Sequence, residues 1–242
     1  MLGGHSVKPL YGPQSAQERR LSMHQWEDSL PLLIGIGGAS GSGKDVVASY
    51  LVKHHGYTRL GFSDALKEEV SIRLRTTLAA HLLDIGWVYP SDTPDVVDQG
   101  IYEVVYKQRT PLVRCLLQEY GTDVRRRDDS GYWVRRWSQK WHQIKSAQRV
   151  VVPDVRFENE CTMLREYGAL LLRVIRPKHQ LEGHAKEHAS ERLATHDGLW
   201  DYSLQNTGTL AEFYEKSLIP WISSLVDRYL FEYMTQTALR DP

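Results

Sequence analysis

The stretch Gly38-Ala-Ser-Gly-Ser-Gly43-Lys44-Asp45, set between an apolar run and a helical segment, constrains this chain more than any other. From Gly38 to Lys44 it fits GxxxxGK. Glycines at these places let successive backbone N–H groups turn inward on a phosphate, and the field at a helix N-terminus favours the same anion. The preceding run, Leu32 to Gly37, is short, apolar and ended by glycine, as a buried parallel strand would be. Strand, loop and helix in that order predict a nucleoside triphosphate cradle. Its expected ATP-binding residues are Gly38, Ser40, Gly41, Ser42, Gly43 and Lys44, with Lys44 neutralising β- and γ-phosphate oxygens. The slot after the lysine usually holds Ser or Thr, whose hydroxyl binds Mg²⁺; here it holds Asp45, followed by Val46. A carboxylate is also a hard oxygen ligand and can hold Mg²⁺ directly or through water. Without the metal it repels the triphosphate, so nucleotide binding is expected to be unusually metal-dependent.

Past the loop, strand and helix patterns alternate. Lys44 to His54 has helical spacing and stops at Gly56; Tyr57 to Phe62 reads as a second strand. Ser63 or Asp64 is placed to cap a helix from about Ala65 to Leu83, and Thr110 before Pro111 marks another helix start. A helix from about Tyr132 to Ala147, a strand from Arg149 to Val155, a helix from Phe157 to Tyr167 and a strand from Ala169 to Ile175 follow. Tyr202 to Asn206 is a last short strand, and Thr209 to about Leu239 is helical with a break at Pro220. This order predicts an α/β fold, with a mostly parallel sheet of about five strands and helices on both faces. The long helical segment 63–148 reads as an inserted acceptor-binding subdomain, 176–200 as a polar lid, and 1–30 as a polar extension with a short helix around Gln17 to Trp26.

Thirty basic residues balance thirty acidic ones in the 242-residue chain, which argues against binding a nucleic acid polymer through a wide basic surface. Cys115 and Cys161 have no metal-ligand spacing and suit a reduced cytosol, so a cytoplasmic location is expected. No apolar run suffices to span a membrane, and the N-terminus has no apolar signal core. A homodimer is compatible with this reading.

Two further segments carry candidate chemistry. On the Pro111 helix, at 100° per residue, Arg114, Gln118, Gly121 and Arg125 gather within about 60° of one another, opposite Leu112, Val113, Leu116, Leu117 and Tyr120. Arginine forks match phosphate geometry, so this face suits an anion or a base edge; a solvated helix face is the plain alternative. Asp154 ends the run Val150-Val151-Val152-Pro153, where an acidic residue sits near a bound metal, and open α/β sheets bind ligands at the carboxyl ends of their strands.

Together these residues resemble the bacteriophage deoxynucleoside monophosphate kinases, a branch of the nucleoside monophosphate kinases with the P-loop NTPase fold. The matching pieces are Gly38 to Asp45, Phe62-Ser63-Asp64-Ala65-Leu66-Lys67-Glu68, Arg114 through Thr122, and Asp154 through Glu160, in order over residues 34 to 215. The resemblance implies that ATP and a deoxynucleoside monophosphate (dNMP) are the substrates and that Mg²⁺ accompanies ATP. It implies an acceptor pocket lined by Arg114, Gln118, Gly121, Thr122 and Trp133. It places Ser42, Asp45, Asp154, Arg156 and Glu160 around phosphates, metal and acceptor, with Lys44, Asp45, Arg114, Asp154 and Arg156 catalytic and Asp45 and Asp154 nearest the metal. Two departures from the family pattern, Val46 and Cys115, require some phosphate contacts to come from elsewhere, with Lys67 and Arg125 as candidates. Arg173 and Arg176, at a strand end beside the lid, are candidates for the transferring phosphate.

Some residues are discounted. Trp137 and Trp141 continue the Trp133 spacing at i, i+4, i+8 and read as core. His179, His184, His188 and His196 have no Cys or paired carboxylate to complete a zinc site. Another small-metabolite P-loop kinase, acting on dephospho-coenzyme A or phosphomevalonate, shares the cradle and lid. A non-enzymatic nucleotide-binding module would bind ATP without transfer.

Overall fold

The computed structural model describes residues 30–87, 94–108, 110–144, 148–177 and 197–238. The predicted N-terminal helix and most of the predicted lid, with its four histidines, lie outside these residues. Residues Pro31–Ser217 make one compact unit.

Its centre is a sheet of β1 (Leu33–Gly37), β2 (Thr58–Arg59), β3 (Val150–Val155), β4 (Leu170–Ile175) and β5 (Tyr202–Gln205). The strands lie in the order β2-β3-β1-β4-β5, every pairing parallel. β1 is buried along its whole length and sits centrally, Leu33 beside Val150 and Ile34 beside both Val151 and Leu170. Burial on both faces of the sheet explains why its sequence is continuously apolar rather than alternating. The strand order reverses at β1, so its carboxyl end opens into the crevice where such sheets bind ligands. The phosphate-loop segment occupies that position.

Helix α1 (Lys44–His55) follows the loop and stops at Gly56, whose φ of 67° fits an αL cap. The second strand is shorter than predicted. Tyr57 is buried with its hydroxyl donating to Pro31 O at 2.5 Å, and by Phe62 the chain is already helical. Helix α2 (Phe62–Arg73) starts before either predicted cap because the acceptor for its first N–H groups comes from β3. The Asp154 carboxylate accepts from Phe62 N at 2.9 Å and Ser63 N at 2.8 Å. Asp64 serves at the third position instead, reaching back to Gly61 N at 2.7 Å. The predicted single helix then divides, with α3 running Arg75–Asp84.

Helix α4 (Pro94–Tyr102) leads into a π-helix at Glu103–Gln108. Helix α5 (Pro111–Gln118) is capped as predicted: Thr110 Oγ1 accepts from Val113 N at 3.4 Å, with Pro111 in the first turn. It runs on as a second π-helix, Glu119–Arg126. Helix α6 (Tyr132–Trp141) ends before the predicted Ala147, which lies outside the described residues. Within this insertion Val70, Leu78, Leu82, Ile101, Val104, Val105 and Val113 form an apolar cluster of their own. A separate cluster under the sheet joins Leu33, Val150, Val152 and Leu164 to Phe62 and Trp137. Trp137 is fully buried, donates Nε1–H to Leu60 O at 2.9 Å and stacks on Trp141, which makes both tryptophans packing residues as expected.

Helix α7 (Glu158–Glu166) connects β3 to β4. After β5 come α8 (Leu210–Phe213) and a π-helix at Tyr214–Leu218. The predicted break at Pro220 is therefore a widened turn just before it. Proline cannot donate to the i−4 carbonyl and clashes with it in a regular helix.

The second unit is described at residue 30 and from Leu218 through helix α9 (Ile219–Ala238). Trp221, Ile222, Leu225 and Val226 form a buried stripe along α9. Among the described residues no helix is long and apolar enough to cross a membrane.

Candidate active site

The phosphate loop is held from within and from β5. Gly38 has φ of 133°, and a Cβ there would stand 2.3 Å from Val174 O, so only glycine fits. Gly43 (φ 110°) passes so close to Asn206 that a Cβ would meet Nδ2 at 2.7 Å. Asn206 is buried and donates Nδ2–H to Ser42 O at 2.8 Å, which clamps the loop to the end of β5. Nothing in the sequence near Asn206 marks it for this task; the topology brings it there. Ser42 is buried, and its Oγ makes no hydrogen bond among the described residues. Gly38, Ser42 and Gly43 thus shape the loop, whereas Ser40, Gly41, Lys44 and Asp45 line the adjoining cleft. Lys44 is buried and donates from Nζ to Gly38 O at 2.7 Å and Ala39 O at 2.5 Å.

The cleft, about 240 Å³, runs from the phosphate loop into the helical insertion. Of the acceptor-side residues expected from the sequence, Lys67, Arg114, Gln118, Gly121, Thr122, Trp133, Asp154, Arg156 and Glu160 lie on its wall and Arg125 does not. Six basic side chains (Lys44, Arg59, Lys67, Arg114, Arg126 and Arg156) face three acidic ones (Asp45, Asp154 and Glu160). That excess suits anionic ligands. Two more predicted candidates stand elsewhere. Arg176 is exposed and outside the cleft wall, and Arg173 donates Nε–H to Ser203 Oγ at 3.3 Å.

Several wall residues are tied to their neighbours. Asp45, two-thirds exposed, accepts from Arg59 Nη2 at 2.8 Å. Arg59 itself escaped the sequence reading because an arginine ending a two-residue strand carries no motif. Asp154 spends both carboxylate oxygens on the start of α2. Lys67 is buried, with Nζ 3.4 Å from Asp64 Oδ1 and 5.6 Å from the centre of the Tyr106 ring. Trp133 is buried, its Nε1–H donating to Gly121 O at 2.9 Å.

The largest difference from expectation concerns Arg125. Its guanidinium turns away from the cleft to Glu69, which also accepts from the hydroxyls of Tyr120 and Tyr132, each at 2.7 Å. Burial alone would raise the Glu69 carboxyl, but bonds from Tyr120, Tyr132 and Arg125 together hold it below its ordinary value. Arg126 takes the expected place on the cleft wall. The reason is the π-helix at Glu119–Arg126, whose i→i+5 bonding adds a residue to the turn and shifts the face by one position. A 100° projection cannot anticipate that.

Arg126 is ion-paired to Glu160, with both side chains almost completely buried. Burial pushes the Glu160 carboxyl up to about 7, against the pull of Arg126 and of the Arg156 and Phe157 backbone N–H groups. Among the described residues no cluster of three or more His, Cys, Asp or Glu could hold a metal by itself. Asp45 and Asp154 supply hard oxygen atoms to the cleft wall, which fits Mg²⁺ arriving with substrate phosphates and keeping several waters.

Comparison with known proteins agrees with this geometry. The profile of the deoxynucleotide monophosphate kinase family matches residues 87–217, a span that begins after the phosphate loop and includes α5 and α6. A protein of Acanthamoeba polyphaga mimivirus, provisionally named a deoxynucleotide monophosphate kinase, is 30% identical over 198 residues. The alignment spans 76% of this chain and 93% of that protein. With the phosphate-loop segment and residues of α5 and α6 lining one cleft, in a chain so matched, the protein is a nucleotide kinase: the chain belongs to the deoxynucleotide monophosphate kinase family.

Proposed function

We propose that this protein transfers the terminal phosphoryl group of ATP to the phosphate of a deoxynucleoside monophosphate, giving ADP and a deoxynucleoside diphosphate. One observation carries the reading: the cleft is continuous from Lys44 to Arg114 and Gln118. An ATPase or a nucleotide switch needs only the Lys44 end.

In this reading the loop residues Gly38 to Lys44 receive the ATP phosphates. Arg114, Gln118, Gly121, Thr122, Lys67 and Trp133 receive the monophosphate. The acceptor phosphate has a second pKa of ~6 and is largely a dianion at neutral pH, so its oxygen attacks without a general base. The bond between the γ-phosphorus and the bridging oxygen breaks, and ADP leaves with that electron pair. A new P–O bond forms to the acceptor. Catalysis is then a matter of holding two anions in line and neutralising charge as it spreads over the transferred group. Lys44, Arg114 and Arg156 supply positive charge to that group. Asp45 and Asp154 would hold Mg²⁺, directly or through water; when bound, the ion neutralises β- and γ-phosphate charge.

An ATP-coupled assay across deoxy- and ribonucleoside monophosphates tests the reaction. Transfer to deoxynucleoside monophosphates is the expected result; ATP binding with no transfer to any nucleoside monophosphate rejects it. Titrating ATP with and without EDTA tests Asp45. Wild-type affinity should fall by at least about 10-fold on chelation. Asp45→Ser should narrow that gap. Equal wild-type affinity in both conditions excludes the proposed role of Asp45.

A further inference from the structure

Adjacent arginines in the Glu119–Arg126 π-helix have buried or partly buried carboxylate partners, yet only Arg126 lines the cleft. Arg125 is gathered into the Glu69 cluster behind the wall and is accounted for as architecture. Arg126 is held differently. Its Nη1 donates to Ser130 O at 3.2 Å and Asn159 Oδ1 at 3.4 Å, and Nη2 donates to Glu160 Oε1. Asn159 is itself fixed, donating Nδ2–H to Ser130 O at 2.8 Å. Beneath the guanidinium lies the Phe157 ring, its centre 3.8 Å from Cζ.

Glu160 is divided between two tasks. Oε2 accepts from Arg156 N at 2.7 Å and Phe157 N at 3.1 Å, which fixes the start of α7. Oε1 is left for Arg126. A guanidinium has five N–H donors, and these contacts use three of them. Among the described residues Nε–H and one Nη2–H have no further partner. A preoriented pair of this kind suits two oxygens of one phosphate. A buried ion pair adds little net stability over apolar side chains of the same volume, so stability alone does not explain this one at a cleft wall.

We infer that Arg126 grips the phosphate of the acceptor nucleotide through Nε–H and Nη2–H, and that Glu160 is a positioning residue acting through it. The inference rests on the proposed phosphoryl-transfer reading. It also answers the departure at Cys115, which required some phosphate contacts to come from elsewhere. Lys cannot replace Arg126, because an ammonium is a point charge without the fork.

Steady-state kinetics on four proteins tests this: wild type, Arg126→Lys, Glu160→Gln, and the double variant Arg126→Met with Glu160→Gln. The double variant removes both charges together and so avoids leaving either one buried alone. It should remain folded, bind ATP with wild-type affinity, and lose kcat/KM for dNMP by about 100-fold or more. Arg126→Lys should raise KM for dNMP by about 30-fold with KM for ATP unchanged. Glu160→Gln keeps the helix-start acceptor and loses the ion pair, so KM for dNMP should rise about 5- to 10-fold with KM for ATP unchanged. A merely structural role for Glu160 would move both KM values together. Double-variant kcat/KM within threefold of wild type overturns the inference and leaves the kinase reading standing. Failure of wild type to phosphorylate any deoxynucleoside monophosphate overturns both.

Discussion

Replacing Lys44 with alanine is expected to lower kcat/KM for phosphoryl transfer by about 10³-fold while leaving the fold intact. Lys44 is buried in the loop it serves, with Nζ on the carbonyls of Gly38 and Ala39 at 2.7 and 2.5 Å. Its charge is thus already positioned where the phosphates are proposed to lie. Loss of one preorganised donor at a reacting centre costs about 10²- to 10³-fold, and loss of a cation on a transferring phosphoryl group can cost more. A 10³-fold loss corresponds to about 4 kcal/mol of transition-state stabilisation. Lys44 itself lines the open cleft, so water can replace its ammonium. The thermal midpoint should therefore move by no more than about 3 °C. Steady-state kinetics beside a melting curve decides it. An alanine variant within tenfold of wild type would remove Lys44 from the mechanism.

Removing Glu69 should be the most damaging change to stability outside the cleft. Its carboxylate, only 10% exposed, accepts from Tyr120, Tyr132 and Arg125, with Arg73 Nε at 3.2 Å. Arg125 also lies 5.2 and 5.0 Å from the centres of the Tyr120 and Tyr132 rings. One carboxylate therefore joins α2, the π-helix and α6. Glu69→Ala leaves two hydroxyls and a partly buried guanidinium without their acceptor. A loss of about 2–3 kcal/mol is expected after discounting for solvent at the Arg73 side. In a protein of this size that lowers the melting midpoint by about 6 °C or more. The pH dependence has a definite sign. Because the folded-state pKa of Glu69 is lowered, its contribution is present above the unfolded value of 4.5 and disappears as pH falls through the folded value. Wild type and Glu69→Gln should thus converge in stability on acidification. A constant gap between them at all pH values would show that the charge is not what matters.

The phosphate loop and the central strands were legible because their chemistry is local. Glycines, a lysine and an apolar run encode β1 and the loop within a dozen residues. The cleft-lining positions of Arg114, Gln118 and Gly121 were legible, because these residues precede or enter the π-helix before its extra residue takes effect. Beyond that point the projection failed, and Arg125 was chosen where Arg126 lines the cleft. Asn206 and the Asp154 cap were hidden for another reason. Each acts on a residue far along the chain, 164 positions away for Asn206 and Ser42 and 92 for Asp154 and Phe62. No periodicity or short motif records such pairings; only the strand order creates them.

The pair of hydrogen bonds that Asp154 accepts from the start of α2 has a mechanical consequence. β3 lies inside the sheet, between β2 and β1, and α2 carries Leu66 and Lys67 into the cleft. The carboxylate therefore acts as a pin at one end of a lever. Trp137 holds the same end through Leu60 O. Any rotation of the insertion toward the phosphate loop has its smallest travel at Phe62 and Ser63 and its largest at the far helices. Residues 62 and 63 would then stay in register with β3 while the far helices moved.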